Sequence, residues 1–239
     1  MIVGRGLLAR AFGSVFAEND DWVIFASGVS NSSESNSAEF LREEVLLRSC
    51  GDEAEGALVY FSSCGLIDGD TADTPYMSHK RRMESLVLSM PRSVVLRLPQ
   101  VVGRTGNTHT LINYLRDRIV NGEHFTVWKN AERNIIDIDD VVAIAEELLR
   151  HPDTESRVIN IAVERSSLMT DIVKIVEGVI GKRGNYTLEP KGAPLRLDTF
   201  IASEAARRLG LDMGDGYLER VITKYYALPH TESLSRRSI

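Results

Sequence analysis

The sequence predicts an α/β fold, in which a parallel β-sheet is covered by helices on both faces. Apolar runs of strand length alternate with stretches of helical spacing through residues 1–105, and this order builds a parallel sheet with crossover helices. Two of the runs, WVIFA (Trp22–Ala26) and ALVYFS (Ala57–Ser62), are largely apolar at successive positions, as expected for strands buried on both faces.

The first half of the chain supplies most of the predicted sheet. Met1–Gly4 is a short apolar run, and residues 6–17 have the spacing of a helix. Further helices are predicted at residues 37–49 and 75–89, and a further strand at Ser93–Val102 (SVVLRLPQVV). The helix at residues 37–49 is amphipathic, and the residues on its predicted apolar side are Phe40, Val45, Leu46 and Leu47.

After Gly103 the elements become shorter, too short to enclose a core of their own, so we predict a small C-terminal α/β lobe packed beside the sheet. The predicted division is a sheet domain of residues 1–105 with parts of 125–165, a lobe made mainly of residues 106–228, and a flexible polar tail at 229–239. The predicted helices of this half are His109–Asn121, Ile138–Arg150, Met169–Ile180, Asp198–Leu209 and Gly216–Tyr226, and the strands are Phe125–Trp128, Val158–Ala162 and Tyr186–Glu189.

Composition excludes several classes of protein. A net charge of −6 argues against general binding to nucleic acid or to anionic membranes, because both need a basic surface. No apolar run approaches the roughly 20 residues that span a bilayer, and the N-terminus lacks the basic region and cleavage site of a signal peptide. Cys50 and Cys64 are too few for a disulfide framework. The sequence therefore predicts a cytoplasmic protein without a metal site.

A glycine-rich turn follows the first predicted strand. It reads Gly4-Arg5-Gly6-Leu7-Leu8-Ala9 and opens a predicted helix. Glycines let the backbone turn tightly and approach a pyrophosphate, whose charge the helix N-terminus stabilises. Such turns also occur without a ligand, but the strand–turn–helix context favours dinucleotide binding. Since Arg5 can meet a 2′-phosphate, the predicted cofactor is NAD or NADP.

A second pattern is Tyr76-Met77-Ser78-His79-Lys80. Tyr76 and Lys80 are four residues apart on a predicted helix and therefore share one face. A phenol with a pKa of about 10 is a poor base near neutrality, and a nearby ammonium lowers that pKa. Alone, the pattern is also met on solvated helix faces. Here it follows Ser62-Ser63-Cys64, which ends a strand where α/β sheets bind ligands.

In this order, the motifs resemble the extended short-chain dehydrogenases/reductases, the NAD-dependent epimerase/dehydratase family of nucleotide-sugar enzymes. The resemblance runs from Met1 to about Ala227. It implies a Rossmann-like sheet, an NAD(P) cofactor, a nucleotide-diphosphate-sugar substrate and a homodimer, with a role in polysaccharide (LPS or capsule) sugar biosynthesis. The segments that carry it are FASGVSNS (Phe25–Ser32), YFSSCGLIDG, TPYMSHKRRME, RLPQVVG (Arg97–Gly103), KNAERNIIDIDDVV (Lys129–Val142) and ASEAARRLGL.

The resemblance also implies roles for the catalytic residues. Tyr76 would be the acid/base, and Lys80 would hold the nicotinamide ribose while tuning Tyr76. Ser63 would bind the reacting oxygen, with Ser62 or Cys64 as the alternatives at this short loop. The residues implied at the cofactor are Gly4, Arg5, Gly6, Leu7, Leu8, Ala26, Ser27, Gly28, Ser62, Tyr76, Lys80 and Pro99.

Three residues are implied at the substrate: Cys64, Gln100 and Arg133. Gln100 stands where an asparagine is common in the family. Arg133 is either a surface arginine or the residue that grips the diphosphate, and we favour the second role because a guanidinium fork suits phosphate oxygens.

The chain departs from the family pattern in two places. From Asn19 it passes almost directly to Trp22–Ala26, whereas the family has two further strand–helix passages there, with an acidic residue for the adenosine ribose. The adenine end would then be loosely held, or cofactor binding lost. Cys64-Gly65 replace the Asp-Glu pair of the 4,6-dehydratases, so epimerisation or ketone reduction is expected. The alternatives are a reductase of another small carbonyl compound and a non-catalytic NAD(P)- or nucleotide-sugar-binding protein.

Three smaller expectations complete the prediction. Asp139 or Asp140 is predicted to cap the helix that follows, rather than to bind a metal. His79 is predicted to face away from the Tyr76/Lys80 side, and neither it nor His109 is expected to be a ligand. Dimerisation is expected through the helices around residues 40–49 and 76–89. The second carries a stripe that suits either core or interface, formed by Met83, Leu86, Val87 and Met90.

Overall fold

A computed structural model describes residues 1–53, 56–67, 74–151 and 157–227. The strands are β1 (Ile2–Val3), β2 (Trp22–Phe25), β3 (Ala57–Ser63), β4 (Ser93–Leu98), β5 (Gln100–Val102), β6 (His124–Trp128), β7 (Glu132–Arg133), β8 (Ile135–Asp137), β9 (Val158–Asn160), β10 (Ser167–Leu168) and β11 (Asn185–Glu189). The helices are α1 (Leu7–Phe16), α2 (Ser37–Glu53), α3 (Pro75–Ser89), α4 (Leu111–Asn121), α5 (Ile138–Arg150), α6 (Met169–Ile180), α7 (Phe200–Arg208) and α8 (Tyr217–Tyr226).

The central sheet has the strand order β1-β2-β3-β4-β9, and every neighbouring pair is parallel. The predicted parallel sheet is therefore confirmed. The chain passes from β1 through α1 directly to β2, its neighbour in the sheet. Within the described residues β1 is thus an edge strand, which is the shortening of the sheet that the short connection after Asn19 predicted.

Side chains alternate between two cores, one on each face of the sheet. Ile24, Val59 and Leu96 pack with α1, α4 and α5, whereas the residues next to them, among them Tyr60, pack with α2 and α3. The predicted arrangement with helices on both faces is therefore confirmed. On the second face Met83 is fully buried, a burial that contributes about 1.5–3 kcal/mol for a side chain of this size.

Proline divides the strand predicted at Ser93–Val102. Pro99 has no N–H to donate to a ladder, so the run separates into β4 and β5. β4 remains in the central sheet beside β9, and β5 pairs with β8 instead, where Gln100 lies opposite Ile135. The break turns the chain from the sheet toward the C-terminal elements.

The C-terminal elements share the core of the first sheet face. Ile136, Ile172, Ala205 and Ile222 belong to the same buried cluster as Leu96. Two short pairs complete these elements, β6 with β11 in parallel and β7 with β10 antiparallel. The division at residue 105 remains a prediction, and the tail predicted at residues 229–239 lies outside the described residues.

The cap of α5 differs from the prediction. Asp137 is the N-cap, and its side chain accepts a hydrogen bond from the N–H of Asp139 at 3.0 Å. The prediction of Asp139 or Asp140 is wrong because β8 runs straight into the helix, which leaves Asp137 extended at the boundary. The same carboxylate binds Nζ of Lys224 and the hydroxyl of Tyr225, each at 2.6 Å, and so ties α8 to α5.

The buried face of α2 also differs from the prediction. Phe40 and Leu47 are buried as expected, but the predicted apolar residue Val45 is 58% exposed. The buried stripe continues instead through Glu43 and Cys50, at helical spacings of three and four residues. A carboxylate therefore enters the protein between α2 and the sheet.

Candidate functional site

The carboxyl ends of the central strands bring the predicted cofactor residues to one edge of the sheet. Val3 pairs with Phe25, Phe25 with Tyr60, and Ser63 with Leu98. The glycine turn after β1 and the serines that end β3 are therefore two strand spacings apart, about 10 Å. Ala26 and Pro99 follow β2 and β4 at the same edge.

The glycine turn has the geometry of an anion site. Gly4 has φ +134°, and a Cβ there would lie 2.4 Å from the carbonyl oxygen of Ala26, so only glycine fits. Gly6 is the N-cap of α1, and a Cβ there would meet nothing within 4 Å. The first N–H groups of α1 have no partner inside the helix, and no side chain caps them. The turn fits a pyrophosphate.

Some side chains around the turn pack against the core, and others are exposed to solvent. Leu7 and Leu8 are half-buried against the core, so they can serve a cofactor only through their backbone. Arg5 is exposed. Sequence reasoning missed Arg10, whose guanidinium donates to the carbonyl of Arg5 at 3.0 Å and to that of Arg104 at 3.3 Å. Its position one residue after the glycine motif, where a helix normally favours acidic residues, is the signal that could have found it.

Tyr76 lies in the first turn of α3. Thr74 caps the helix by accepting the N–H of Met77 at 3.2 Å, and Pro75 suits the first helical position. Tyr76 is 6% exposed and interacts with the side chain of Ser63, which also accepts the N–H of Gly65. Among the alternatives at the end of β3, the structure thus brings Ser63 to Tyr76.

The pKa of Tyr76 is raised, whereas the sequence predicts that it is lowered. Burial raises it to about 12, the charge of Glu43 acts in the same direction, and the hydrogen bond with Ser63 opposes them. The expected lowering by Lys80 is not seen. The phenol therefore stays protonated at neutral pH.

Lys80 shares the helix face with Tyr76 but is turned into the protein. It is 2% exposed, and its Nζ lies 3.1 Å from Oε1 of Glu43, 2.9 Å from the Tyr60 hydroxyl and 5.8 Å from the centroid of the Tyr76 ring. Burial lowers the pKa of Lys80, although the carboxylate of Glu43 opposes this. Lys80 is thus paired with an anion instead of facing the open sheet edge.

Glu43 is held by donors from three directions. Its Oε1 accepts the Tyr60 hydroxyl at 2.6 Å, and its Oε2 accepts the N–H of Val29 at 2.6 Å and lies 3.0 Å from Nε2 of His79. Burial acts to raise the pKa of Glu43, but the bonds with His79 and Tyr60 and the charge of Lys80 outweigh it and lower the pKa to about 2.

The prediction that His79 faces away from the Tyr76/Lys80 side is wrong. His79 is buried and stacks on Phe40 with ring centroids 4.5 Å apart. α2 packs over this part of α3, so the side chain that was expected to be outside binds the same carboxylate as Lys80.

The loop after β2 covers this cluster. A Cβ at Gly28 would lie 3.0 Å from both Oε1 of Glu43 and Nζ of Lys80. Ser27 is half-buried, and its hydroxyl and carbonyl accept the guanidinium of Arg42 at 3.4 and 3.3 Å. The backbone at Gly28 therefore packs directly on Glu43 and Lys80.

Ser62 supplies an unused polar atom at the edge. Its Oγ is buried and has no hydrogen-bond partner among the described residues. Such an atom normally costs about 1–3 kcal/mol unless a ligand or water satisfies it. With the turn at Gly4 and Gly6, this orphaned hydroxyl fits a nicotinamide dinucleotide, whose phosphates and ribose supply the matching groups.

Of the predicted substrate residues, Cys64 does not face the edge. It is buried, its Sγ lies 3.4 Å from the carbonyl oxygen of Arg97, and burial raises the pKa of its thiol to about 12. The prediction that Cys64 contacts substrate is therefore not supported, because the short 3-10 turn at Cys64–Leu66 directs the thiol inward.

Gln100 and Arg133 lie on neighbouring segments. Gln100 is exposed, and its N–H donates to the carbonyl of Asn134 at 3.0 Å. Arg133 is half-buried, and its Nη1 donates to the carbonyl of Glu132 at 2.7 Å. The structure thus places these two predicted substrate residues on backbone segments that lie side by side, beyond the end of β4.

Solved structures share this architecture. UDP-glucose 4-epimerase from Thermus thermophilus, in complex with NAD, superposes with a TM-score of 0.65 at 16% identity, covering 90% of this chain and 80% of that chain. dTDP-glucose 4,6-dehydratase from Bacillus anthracis str. Ames, also with NAD, superposes with a TM-score of 0.63 at 16% identity, covering 89% of this chain and 75% of that chain. RMD from Pseudomonas aeruginosa, complexed with NADPH, superposes with a TM-score of 0.63 at 18% identity, covering 92% of this chain and 86% of that chain.

At these identities the likeness concerns the fold, and it confirms the expected Rossmann-like architecture. Comparison of the sequence with curated proteins gives no match. The profile of the NAD dependent epimerase/dehydratase family matches residues 14–162, more than half of the chain. This chain, with its parallel sheet and its Ser63, Tyr76 and Lys80 in the order of the family motifs, belongs to the NAD-dependent epimerase/dehydratase family.

Proposed function

We propose that this protein is an NAD(P)-dependent nucleotide-sugar epimerase or 4-keto reductase, in which Tyr76 carries the proton. One observation carries the proposal: the side chains of Tyr76 and Ser63 interact at the same sheet edge as the glycine turn and the unsatisfied Ser62 hydroxyl. Solved relatives of the same fold contain NAD or NADPH, which supports a nicotinamide cofactor without distinguishing the two.

The protein's own groups would bind the cofactor and move the proton. NAD(P), when bound, supplies hydride transfer. The backbone at Gly4–Gly6 would hold the pyrophosphate, and Ser62 would satisfy a polar group of the bound molecule. Ser63 and Tyr76 would bind the oxygen on the reacting carbon, between a hydrogen-bond partner and a proton carrier.

The protonation state of Tyr76 favours reduction of a ketone over oxidation of a sugar hydroxyl. Reduction of a ketone needs a protonated phenol, which a pKa of about 12 provides at neutral pH. Epimerisation must begin with removal of a proton from a sugar hydroxyl, which such a phenol does poorly. We therefore place ketone reduction ahead of epimerisation. Elimination is not expected, because Cys64-Gly65 offers no carboxylate beside the reacting carbon.

A nucleotide-diphosphate sugar is the proposed substrate. Arg133 suits a diphosphate because its guanidinium can donate two parallel hydrogen bonds, and Gln100 is exposed on the neighbouring segment. UDP-glucuronic acid 4-epimerase from Bacillus cereus binds UDP-glucuronic acid and NAD within the same fold. That observation supports the substrate class but not the sugar.

Turnover of Tyr76→Phe tests the proposal. NAD(P)H oxidation is followed with UDP-, dTDP- and GDP-linked keto sugars, and epimerisation with the corresponding hydroxy sugars. Loss of the proton carrier should lower kcat by about 10²-fold or more, with cofactor affinity retained. Tyr114→Phe, at a partly exposed position of α4, serves as the matched control. Undiminished turnover in Tyr76→Phe would exclude the proposed role.

A second candidate is a non-catalytic NAD(P)- or nucleotide-sugar-binding protein. It is favoured by the pairing of Lys80 with Glu43 and by the edge position of β1, next to which the adenine half of a dinucleotide would lie. Calorimetry separates the two candidates. Tight binding of a nucleotide sugar without NAD(P), and no turnover across the panel, would establish the binding protein.

The expected location and pathway remain part of this proposal. No helix in the described ranges is long and apolar enough to cross a bilayer. Cys50 and Cys64 are not disulfide-bonded, as is usual in a reducing compartment, so the cytoplasm remains the predicted location. Supply of sugars for surface polysaccharide is the proposed pathway, and a homodimer through α2 and α3 the proposed assembly.

A further inference from the structure

A buried carboxylate stands beside Tyr76 and Lys80 and has no part in the reaction as described above. Glu43 enters from α2, is 0% exposed, and receives polar groups on both oxygens from α3, β3 and the loop after β2. An ionised carboxylate persists in such surroundings only when its oxygens are hydrogen-bonded and a countercharge is close. The cluster meets both conditions, so Glu43 and Lys80 form a buried ion pair.

We infer that Glu43 is a positioning residue, which holds the Lys80 ammonium beneath Gly28 and neutralises it, so that the Tyr76 phenol works beside an ion pair instead of a free cation. The catalytic meaning of this inference rests on the proposed function. Lys80 Nζ contacts Glu43 and Tyr60 directly, while the centroid of the Tyr76 ring is 5.8 Å away.

The space above the pair supports the same assignment. At Gly28 even a Cβ would lie 3.0 Å from the carboxylate and from the ammonium. Glycine backbone therefore packs directly on the pair, and two of the three ammonium N–H groups are already directed at Glu43 and Tyr60. Glu43 opposes movement of the ammonium away from it, because leaving the carboxylate buried and unpaired is unfavourable.

The charges around the pair determine the sign of the expected effect. Burial and the charge of Glu43 both raise the pKa of Tyr76, and the bond with Ser63 lowers it. A neutral amide in place of the carboxylate removes the anion that opposes ionisation of Tyr76, so the phenolate forms more easily. The titratable and charged groups facing Tyr76 and Lys80 are Glu43 from α2, Tyr60 from β3, and His79 and Glu84 from α3, with Arg97 of β4 paired to Glu84.

Titration of Tyr76 in Glu43→Gln tests the inference without cofactor or substrate. Tyrosinate absorbance is recorded against pH, and the Tyr76 component is isolated by subtracting the same titration of a Tyr76→Phe protein. The Tyr76 midpoint should fall by about one pH unit or more, the size expected for removing a nearby charge. Glu44→Gln is the matched control, because this neighbouring carboxylate pairs with two exposed arginines, Arg48 of α2 and Arg82 of α3. An unchanged midpoint in Glu43→Gln overturns the inference.

Glu43→Asp distinguishes the effect of the negative charge from that of side-chain length. It also provides the test if Glu43→Gln does not fold. It keeps the negative charge but shortens the side chain, so the Tyr76 midpoint should remain high while the contact with Lys80 is lost. The Lys80 Nζ released in this way should tighten NAD(P) binding about 10-fold, by analogy with other charge-assisted hydrogen bonds. A Tyr76 midpoint that falls in Glu43→Asp as far as in Glu43→Gln would contradict an electrostatic role.

The proposed function and this inference fail in different ways. Absence of turnover with every nucleotide sugar, together with a lowered Tyr76 midpoint in Glu43→Gln, would remove the enzyme assignment and leave the positioning role of Glu43. Turnover that depends on Tyr76, together with a Tyr76 midpoint that Glu43→Gln leaves unchanged, would remove the positioning role of Glu43 and leave the enzyme assignment. With an active enzyme, the alkaline limb of the pH–rate profile should move with the spectroscopic midpoint.

Discussion

Lys80 Nζ and Glu43 Oε1 lie 3.1 Å apart, and both side chains are withdrawn from solvent. The lysine that the spacing pattern placed beside the tyrosine is therefore neutralised by a residue from another helix. This relationship governs the chemistry of the candidate site, and it also makes the stability of the protein depend on pH.

Stability should fall on the acid side of pH 4.5. The pKa of Glu43 is lowered in the folded state from 4.5 to about 2, so its contribution is present above pH 4.5 and is lost as the pH falls toward 2. A shift of this size corresponds to about 3 kcal/mol of unfolding free energy. Urea unfolding between pH 2 and 7 should show this loss in wild type and in Glu44→Gln but a flatter dependence in Glu43→Gln. Equal slopes in all three proteins would contradict the assignment.

The two glycines of the turn should respond differently to alanine. Gly4→Ala places a Cβ against the Ala26 carbonyl at a φ that L-residues avoid, so thermal and urea unfolding should show a loss of about 1–3 kcal/mol. Gly6→Ala adds a Cβ in open space, so stability should change little. Fluorescence titration should instead show weaker NAD(P) binding in Gly6→Ala, because the new methyl group stands where the pyrophosphate would approach. Unchanged affinity in Gly6→Ala would place the cofactor elsewhere.

Arg5 should distinguish the two nicotinamide cofactors. Its exposed guanidinium lies in the glycine turn, where it can meet a 2′-phosphate. Arg5→Ala should weaken NADP binding by about 10-fold and leave NAD binding unchanged, as measured by calorimetry. Arg118→Ala, at the far end of α4, controls for a general loss of positive charge. Equal losses for both cofactors would count against a 2′-phosphate contact.

Asp137 should be more important for stability than its acidic neighbours. It caps α5 and binds Lys224 and Tyr225 of α8, so Asp137→Ala removes a cap and two side-chain contacts that hold α8 against α5. We expect a loss of about 1.5–3 kcal/mol of unfolding free energy. Asp139→Ala removes an exposed carboxylate that also contacts Lys224 and should cost about 1 kcal/mol or less. Similar losses in the two variants would contradict the role of Asp137.

A dimer, if formed through α2, should depend on its exposed apolar residues. Leu41 and Val45 are 59% and 58% exposed on one side of α2, whereas Met83 and Val87 of the predicted stripe on α3 are fully buried in the core. Leu41→Glu combined with Val45→Glu should convert a dimer to a monomer in sedimentation velocity at micromolar concentration, while circular dichroism stays unchanged. Val120→Glu, an exposed apolar residue of α4, is the control. A monomeric wild type would remove the proposed assembly.

Local patterns predicted most of the elements and part of the site. Helices α3, α5 and α6 begin and end where their apolar spacing and their flanking residues predict. The glycine turn, the serines after β3 and Tyr76 follow from motifs whose residues are near one another in sequence. Even the break at Pro99 is a local property, because a missing N–H interrupts a ladder in any context.

The pairings between distant segments were decided by the tertiary structure. Helical spacing shows which residues share a face, but not which face meets the sheet, so Val45 was assigned to the core and Glu43 was overlooked. The partner of Lys80 lies 37 residues away along the chain, and only the packing of α2 against α3 and β3 brings the two together. The sequence by itself determined the strand–helix order and the chemical groups at the sheet edge. Burial and long-range electrostatics, which arise only when these elements pack, decided the charge state in which those groups work.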